Sequence, residues 1–240
     1  MTIPILYEDN HLLIVEKPPN MPVQGDASGD MDLLNYFKAF LVHRDNKPGD
    51  AYLGLVHRLD RPVGGALAFA KTSKAASRLS EQFRRQSPKR HYLAWVQGTR
   101  LPASGDLEHY LYKDRRQNQT FVVDAKHPKG KRAYLRYANL YQNGSHSLLA
   151  LSLHTGRPHQ IRVQLQASGC PIVGDQKYGF NPLEKSTRQL ALWSYELEIL
   201  HPTKKTPLLS QAPLPKKEPW TKIPSQALEH IPWHKLDPKA

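Results

Sequence analysis

One carboxylate of the chain is flanked so closely by cations that it could take part in catalysis. Asp60 lies between Arg58 and Arg61, with His57 nearby, in the segment from Val56 to Gly65. Cations within roughly 4 to 6 Å keep a carboxylate ionised by lowering its pKa, and an ionised aspartate can act as a nucleophile. The glycines that end the segment permit a tight loop that presents the carboxylate in a cleft. The alternative is a structural salt bridge at a strand end, because such proximity is common.

A second polar stretch, His154 to Arg162, is suited to binding an anion. If a helix begins near Pro158, its free N–H groups and its dipole favour a phosphate, and Arg157 and His159 add further donors. A metal is disfavoured, because the histidine spacing is not that of one helix face and the arginines would repel a cation. The stretch predicts contacts with a nucleic-acid backbone or, in the plainer interpretation, a solvated basic start of a helix.

Basic residues are also interleaved with aromatic residues between positions 84 and 132. The cations are Arg84, Arg85, Lys89, Arg90, Lys113, Arg115, Arg116, Lys126, Lys129, Lys131 and Arg132, and the aromatic residues are Tyr92, Tyr110, Tyr112 and Phe121. Basic turns around aromatic strands resemble a surface that tracks an RNA backbone while exposed bases stack on it. Charge runs are also typical of solvated faces. The chain has no Walker loop, GxGxxG, zinc-knuckle spacing or GxSxG elbow, which disfavours cofactor chemistry and serine hydrolysis.

Apolar patterning predicts the elements that position Asp60. Leu12 to Val15 form a short apolar run closed by two prolines, which indicates a buried strand followed by a loop. Apolar residues recur at helical spacing after Asp32, which is placed as an N-cap. Ala66 to Ala70 predict another strand, and a helix capped at Thr72 or Ser73 follows it. Asp60 is therefore expected on a loop that precedes a buried strand.

From residue 91 the apolar pattern has a period of two, which predicts a strand that ends at Gly98. Further strands are predicted at Thr120 to Asp124, Ala133 to Tyr141 and Ser147 to Leu153. Together they suggest a meander. Residues 159–168 alternate like a strand, yet Pro158 suits a first helical turn and Gly169 suits a helix stop. The local pattern leaves strand and helix open there.

The composition favours a polyanionic partner. Lys and Arg number 34 against 21 Asp and Glu, which gives a formal charge of +13, and nucleic acid is the leading class of partner. A hydrophobic fraction of 39% over 240 residues supports one large domain or two small ones. No apolar run reaches the roughly 18 to 20 residues of a spanning helix, and no export signal opens the chain. With Cys170 as the single cysteine, we expect a cytoplasmic protein outside the membrane.

The segment His57 to Gly65 resembles the signature of RluA-type RNA pseudouridine synthases. Other pieces match in the family's order: Leu6-Tyr7-Glu8-Asp9, Glu16-Lys17-Pro18, Phe69-Ala70-Lys71-Thr72, Tyr92-Leu93-Ala94 with Gly98, His154 to Arg157, His159 to Val163, Gly174-Asp175 and Lys177-Tyr178-Gly179. The resemblance spans residues 5 to 215. Val63-Gly64 stands where the family usually has Thr-Ser or a similar small polar pair, and this departure bears on the rigidity of the loop and on rate.

The resemblance implies an α+β fold, with a single catalytic domain built on a largely antiparallel mixed β-sheet with flanking helices. It also implies an active site in a basic cleft and a helix at residues 159–168. The catalytic domain would span residues 1–215, and a Pro- and Lys-rich tail, residues 216–240, would lie extended on it. We expect no separate N-terminal RNA-binding domain, because the family pattern begins at residue 5.

The implied reaction converts uridine in ribosomal or transfer RNA to pseudouridine without a cofactor or metal. Uracil is detached from its ribose, turned over and rejoined through a carbon–carbon bond. By resemblance, Asp60 is the catalytic carboxylate, Tyr92 packs on the flipped base and serves in proton transfer, and Arg162 pairs with Asp60. Attack on the sugar, addition to the base and a glycal route all stay open.

The resemblance and the charge pattern together imply a set of RNA-binding residues. Arg58 would occupy the place that the flipped nucleotide leaves in the stack. The other members of the set are His57, Arg61, Arg157, His159, Arg84, Arg85, Arg115 and Arg116. We expect a monomer that acts without an obligate protein partner.

Two other functional classes stay open from the sequence. One is an RNA-binding or RNA-folding protein without catalysis, which the departure at Val63-Gly64 permits. The other is a cation-dependent nuclease that uses His57, Asp60, His154 and His159, and the shortage of clustered carboxylates argues against it. The particular RNA and uridine are not encoded in a readable motif.

Overall fold

The computed structural model describes residues 2–46, 48–179 and 189–237. The strands are β1 (Ile5–Glu8), β2 (Leu12–Lys17), β3 (Gly54–Leu55), β4 (Gly64–Ala70), β5 (Lys89–Gln97), β6 (Ser104–Asp114), β7 (Gln119–Val123), β8 (Lys131–Asn143), β9 (His146–Leu153), β10 (Leu192–Leu200) and β11 (Pro207–Gln211). The helices are α1 (Leu33–Arg44), α2 (Ser73–Arg84), α3 (Gln160–Ala167), α4 (Gln226–Glu229) and α5 (Trp233–Leu236), with a 3₁₀ turn at Trp220–Lys222. Parts of the predicted domain and tail, residues 180–188 and 238–240, lie outside the described residues.

The chain divides into two compact units. The first comprises Met1–Pro88 and Ser194–Pro213, and the second comprises Lys89–Trp193 and Leu214–Ala240. The α+β class, with largely antiparallel strand pairing and flanking helices, is confirmed. The boundary of the catalytic domain at residue 215 stays a prediction.

The first unit is built on the strand order β1-β2-β4-β10, with β11 beside β10 and β3 beside β4. The predicted apolar strand is β2, whose residues from Leu12 to Val15 are fully buried. Asp32 caps α1 by accepting a hydrogen bond from the Asn35 amide at 3.0 Å. Thr72 caps α2 in the same way, through the Ala75 amide at 3.2 Å. Both capping predictions are confirmed, because each side chain satisfies an otherwise unpaired N–H of its helix.

The second unit is built on the strand order β5-β9-β8-β6-β7, in which all neighbours are antiparallel. The strands predicted at Thr120 to Asp124, Ala133 to Tyr141 and Ser147 to Leu153 are present as β7, β8 and β9. The predicted meander is wrong, because β6 lies between β7 and β8 and β5 pairs with β9. Strand β6 was not predicted from the sequence, because Leu107 and Leu111 are the only buried side chains along it. Residues 160–167 form α3, so the helix implied by the resemblance is confirmed and the strand alternative is wrong.

Short helical elements of the C-terminal residues belong to the second unit. The 3₁₀ turn buries Trp220, and α5 buries Leu236. Helix α5 contacts β8 and β9. No helix within the described ranges is long and apolar enough to cross a membrane.

Candidate active site

Asp60 lies on the predicted loop, between β3 and β4 of the first unit. The loop is a tight turn, because the Val63 amide donates to the Asp60 carbonyl oxygen at 3.0 Å. The Asp60 side chain is half-buried. A half-buried carboxylate on a fixed turn remains accessible to a substrate while its backbone is held in place.

Lys17, at the end of β2, holds the same turn through hydrogen bonds of its side chain. Its Nζ donates to the carbonyl oxygens of Pro18 at 2.9 Å, Arg61 at 2.9 Å and Val63 at 2.7 Å. An ammonium has three donor hydrogens, so these bonds use all of them. Lys17 is fully buried. No role was predicted for Lys17, whose signals in the sequence are its place at the end of an apolar run and its match to the family within Glu16-Lys17-Pro18.

Burial and a nearby carboxylate act in opposite directions on Lys17. Burial lowers the pKa of Lys17 from 10.5 to about 7, against the negative charge of Asp60, which raises it. The positive charge of Arg61 lowers the same pKa further. The turn that carries Asp60 therefore rests on a buried amine whose charge changes near neutral pH.

Arg61 is bound by an acidic loop of its own unit. Its guanidinium contacts Asp26 at 3.4 Å and also Asp30, and its Nε donates to the Asn20 carbonyl oxygen at 3.1 Å. The hydrogen bond from Arg61 lowers the pKa of Asp30. The predicted contact of Arg61 with RNA stays a prediction, and the structure gives the side chain a role in joining two loops.

His57 and Arg58 differ in their surroundings. The His57 Nε2 accepts a hydrogen bond from the Ala68 amide at 3.0 Å, and its ring stacks on Phe83 at 4.3 Å between centroids. His57 thus connects the Asp60 loop to β4 and α2. The Arg58 side chain is exposed on the same loop.

The departure from the family pattern at Val63-Gly64 leaves the turn fixed through its backbone. Val63 is buried, its amide bonds to Asp60, and its carbonyl oxygen accepts from Lys17. Gly65 has a φ of +114°, and a Cβ there would lie 2.1 Å from the Ser194 carbonyl oxygen. Only glycine fits at that position. The turn therefore stays fixed by backbone hydrogen bonds although Val63-Gly64 replaces the small polar pair that is usual in the family.

Tyr92 lies in the second unit, on β5, and is 7% exposed. It is paired with Leu151 of β9. Neighbouring residues of a strand point to opposite faces, so Tyr92 and His91 face away from each other.

Arg162 lies in α3 and is bound by a carboxylate of its own unit. Its Nε donates to Asp175 Oδ2 at 2.8 Å and its Nη2 to Asp175 Oδ1 at 2.7 Å, which is a bidentate pair. The guanidinium also lies over the Tyr178 ring at 5.0 Å. In the sequence, Asp175 is recognisable only as part of the resemblance, within Gly174-Asp175. The predicted pairing of Arg162 with Asp60 stays a prediction.

The turn before α3 is stabilised by side chains. Gln160 Oε1 accepts from Thr155 Oγ1 at 2.8 Å and from the Arg157 amide at 3.0 Å. His159 adopts a left-handed φ of +54°, and its Nδ1 lies 2.5 Å from the Tyr178 hydroxyl. Arg157 donates through Nε to the Arg132 carbonyl oxygen at 2.9 Å. The arginine and the histidine predicted to bind phosphate thus also serve this turn.

The remaining predicted RNA contacts form two exposed pairs. Arg84 and Arg85, at the end of α2, both contact Glu81, at 2.6 Å and 2.5 Å. Arg115 and Arg116 lie in the turn between β6 and β7. Within the described residues, no group of three or more His, Cys, Asp or Glu side chains is arranged to hold a metal.

Comparison with known families identifies the class of this fold and loop. Residues 11–167, which include β2, the Asp60 turn, β5 and α3, match the RNA pseudouridylate synthase family. The chain belongs to that family, whose members are isomerases acting on RNA.

Among curated relatives, the ribosomal large subunit pseudouridine synthase D of Nitrosomonas europaea is 37% identical over 224 residues, which cover 88% of this chain and 62% of the relative. An uncharacterized RNA pseudouridine synthase of Zymomonas mobilis is 35% identical over 213 residues, covering 88% of this chain and 94% of the relative. The chain thus spans less than two thirds of the first relative and nearly all of the second.

Solved structures share the fold. The human RNA pseudouridylate synthase domain containing 4 protein has a TM-score of 0.73 and 24% identity, with 88% of each chain covered. The human domain containing 1 protein has a TM-score of 0.70 and 22% identity, with 99% of this chain and 97% of that chain covered. The fold predicted by resemblance is therefore confirmed.

Proposed function

We propose that the chain is an RNA pseudouridine synthase in which Asp60 is the catalytic carboxylate. The reaction breaks the bond between N1 of uracil and C1′ of ribose and forms a bond between C5 and C1′. The proton on C5 leaves and N1 gains a proton, so substrate and product are isomers and the electrons balance. No oxidant or reductant enters.

The observation that carries the proposal is the construction of the Asp60 turn within the residues that match the family. Lys17 donates to the carbonyl oxygens of Arg61 and Val63 within the turn, and its third donor binds the Pro18 carbonyl oxygen. His57 binds the turn to β4, and Gly65 permits the following close approach. A catalytic carboxylate must be held in a fixed geometry, because misplacement of a reacting group by about 1 Å can cost roughly 100-fold in rate.

The decisive experiment replaces the carboxylate and measures loss of the C5 proton. RNA labelled with tritium at C5 of uridine is incubated with excess enzyme, and tritium release is followed in a single turnover. We expect Asp60→Asn to release none and to bind RNA within a few fold of wild type, because the change removes the charge and nearly preserves the shape. Asp50→Asn, at an exposed position of the same unit, is the matched control and should retain full activity. Turnover by Asp60→Asn would overturn the assignment, and binding without turnover by the wild type would favour an RNA-binding protein.

A second variant tests the role given to Tyr92. Tyr92→Phe keeps the ring that would stack on the base and removes the hydroxyl that would move a proton. We expect unchanged RNA affinity and a slower single-turnover rate. An unchanged rate would limit Tyr92 to stacking.

The proposed substrate is RNA of the large ribosomal subunit. Its support is the name of the Nitrosomonas relative, and transfer RNA is the alternative. We further propose that the enzyme works in the cytoplasm, as a monomer and without a protein partner. Mapping pseudouridine in cellular RNA with and without this gene identifies the modified uridine, and sedimentation of the purified chain measures its oligomeric state.

A further inference from the structure

The carboxylate of Asp237 bridges β5, the strand that carries Tyr92, and the neighbouring strand β9. Asp237 Oδ1 lies 2.6 Å from His91 Nε2 and accepts from Ser152 Oγ at 3.0 Å. His91 of β5 and Ser152 of β9 are directly opposed in the strand register. Both side chains are almost completely buried. One carboxylate oxygen thus joins a cross-strand pair in the interior of the second unit.

Further contacts fix the segment that carries this carboxylate. The Trp233 ring stacks on the His91 ring at 4.1 Å between centroids, with an angle of 1° between the planes. His154 donates through Nε2 to the Leu236 carbonyl oxygen at 2.8 Å. Lys89 Nζ lies 3.8 Å from Asp237 Oδ2. Lys89 and His91 share a face of β5, because they are two residues apart in a strand.

The same strand carries Tyr92 on its other face. Tyr92 follows His91 directly and pairs with Leu151, the neighbour of Ser152. A change in the backbone at His91 or Ser152 therefore moves the Cα of Tyr92. Removing Asp237 leaves the buried His91 ring and Ser152 hydroxyl without this acceptor, and such groups seek new partners by local rearrangement.

We propose that Asp237 is a positioning residue for Tyr92 and that the segment Pro232–Asp237 is a clasp that sets the register of β5 against β9. The inference rests on the proposed function, because it assigns the clasp to the strand of a residue proposed to act on the base. The clasp acts on the chemical step and leaves the affinity for RNA unchanged.

The first test compares substitutions within the clasp in the full chain. Asp237→Ala should slow the single-turnover release of tritium by about ten-fold or more, with the dissociation constant for RNA within about two-fold. Asp237→Asn retains an oxygen acceptor for Ser152 and should recover most of the rate. His234→Ala, an exposed position on α5, is the matched control and should match wild type. If Asp237→Ala fails to fold, Ser152→Ala tests the same bridge with the carboxylate retained.

The second test asks whether Asp237 acts through Tyr92. If it does, the double variant Asp237→Ala/Tyr92→Phe should be no slower than Tyr92→Phe alone, because the clasp then has no hydroxyl left to position. Hydrogen exchange should also accelerate at β5 and β9 amides in Asp237→Ala. The proposal would be overturned if the rate losses of the two single variants multiplied in the double variant. It would also be overturned if Asp237→Ala folded and released tritium at the wild-type rate. A wild type that releases no tritium from any RNA would instead overturn the proposed function.

Discussion

Lys17 shows how a single residue can matter to a site without being recognisable in the sequence. Its position at the end of an apolar strand indicated a buried element, yet lysine itself is rarely buried without a partner. The structure resolves this conflict, because three backbone carbonyl oxygens receive the ammonium. Two of them come from the turn beside Asp60, which is more than forty residues away in the chain. No local pattern encodes that long-range contact.

Replacing Lys17 by methionine should weaken both the fold and the reaction. The variant keeps most of the side-chain volume and removes the donor from the carbonyl oxygens of Pro18 and Val63, at a cost of roughly 1 to 3 kcal/mol in the free energy of unfolding. The Arg61 carbonyl oxygen keeps its bond from the Asn20 amide at 2.8 Å. We expect slower tritium release as well, since the Asp60 turn loses its support. Urea titration and the single-turnover assay measure the two effects. Lys71→Met is the control for loss of a lysine, because Lys71 contacts Glu8 at 2.6 Å elsewhere in the unit.

The lowered pKa of Lys17 also predicts a pH dependence. Between about pH 7 and 10.5 the unfolded chain holds a proton on Lys17 that the folded chain has released. The proton therefore favours the unfolded state, and the contribution of Lys17 to the free energy of unfolding rises as pH increases through this window. The difference in unfolding free energy between wild type and Lys17→Met should grow from pH 7 to pH 9. A constant difference would show that the lysine keeps the same charge in both states.

At the scale of elements, prediction succeeded where the determinant was local. The caps of α1 and α2 were recognisable because the capping side chain lies beside its helix in sequence. Strand β6 was missed because its exposed faces carry polar residues, and its pairing with β8 lies far along the chain. The segment at α3 was ambiguous because six of its eight residues are buried, including Gln160 and Gln164, so no polar face distinguishes helix from strand.

The residues of the candidate site also differ in how well the sequence predicts them: those in a local motif were predicted, and those that depend on long-range contacts were not. The motif around Asp60 identified its loop, and period-two alternation placed Tyr92 on a strand. Neither indicated that Arg162 binds Asp175, because those residues lie on a helix and on a following loop. The clasp was equally hidden, since a Pro- and Lys-rich segment is typical of an extended tail. The contacts of Trp233 and Asp237 with His91 form only when the fold brings this segment to β5.

For the whole molecule, the excess charge of +13 does not act uniformly on an anionic partner. Some cations are already engaged within the protein: Arg84 and Arg85 share Glu81, and Arg61 binds Asp26 and Asp30. Arg115 and Arg116 extend from an exposed turn, and no ion pair with a carboxylate of the described residues engages them. Cations without an internal partner contribute most to attraction of RNA, since binding then displaces only counterions.

The salt dependence of RNA binding should therefore distinguish the two exposed arginine pairs. With about four phosphate contacts, the slope of log affinity against log salt should be about −3 for single-stranded or irregular RNA. Arg115→Ala/Arg116→Ala should flatten it by up to about 1.5 units, because two contacts are lost. Arg84→Ala/Arg85→Ala removes the same formal charge and should flatten it less, since Glu81 already compensates those side chains. The modified uridine should be the same in both variants, because phosphate contacts position RNA without reading its sequence. Filter binding over a salt series measures the slopes. An unchanged slope in Arg115→Ala/Arg116→Ala would indicate that RNA instead contacts the basic stretch from Arg157 to Arg162.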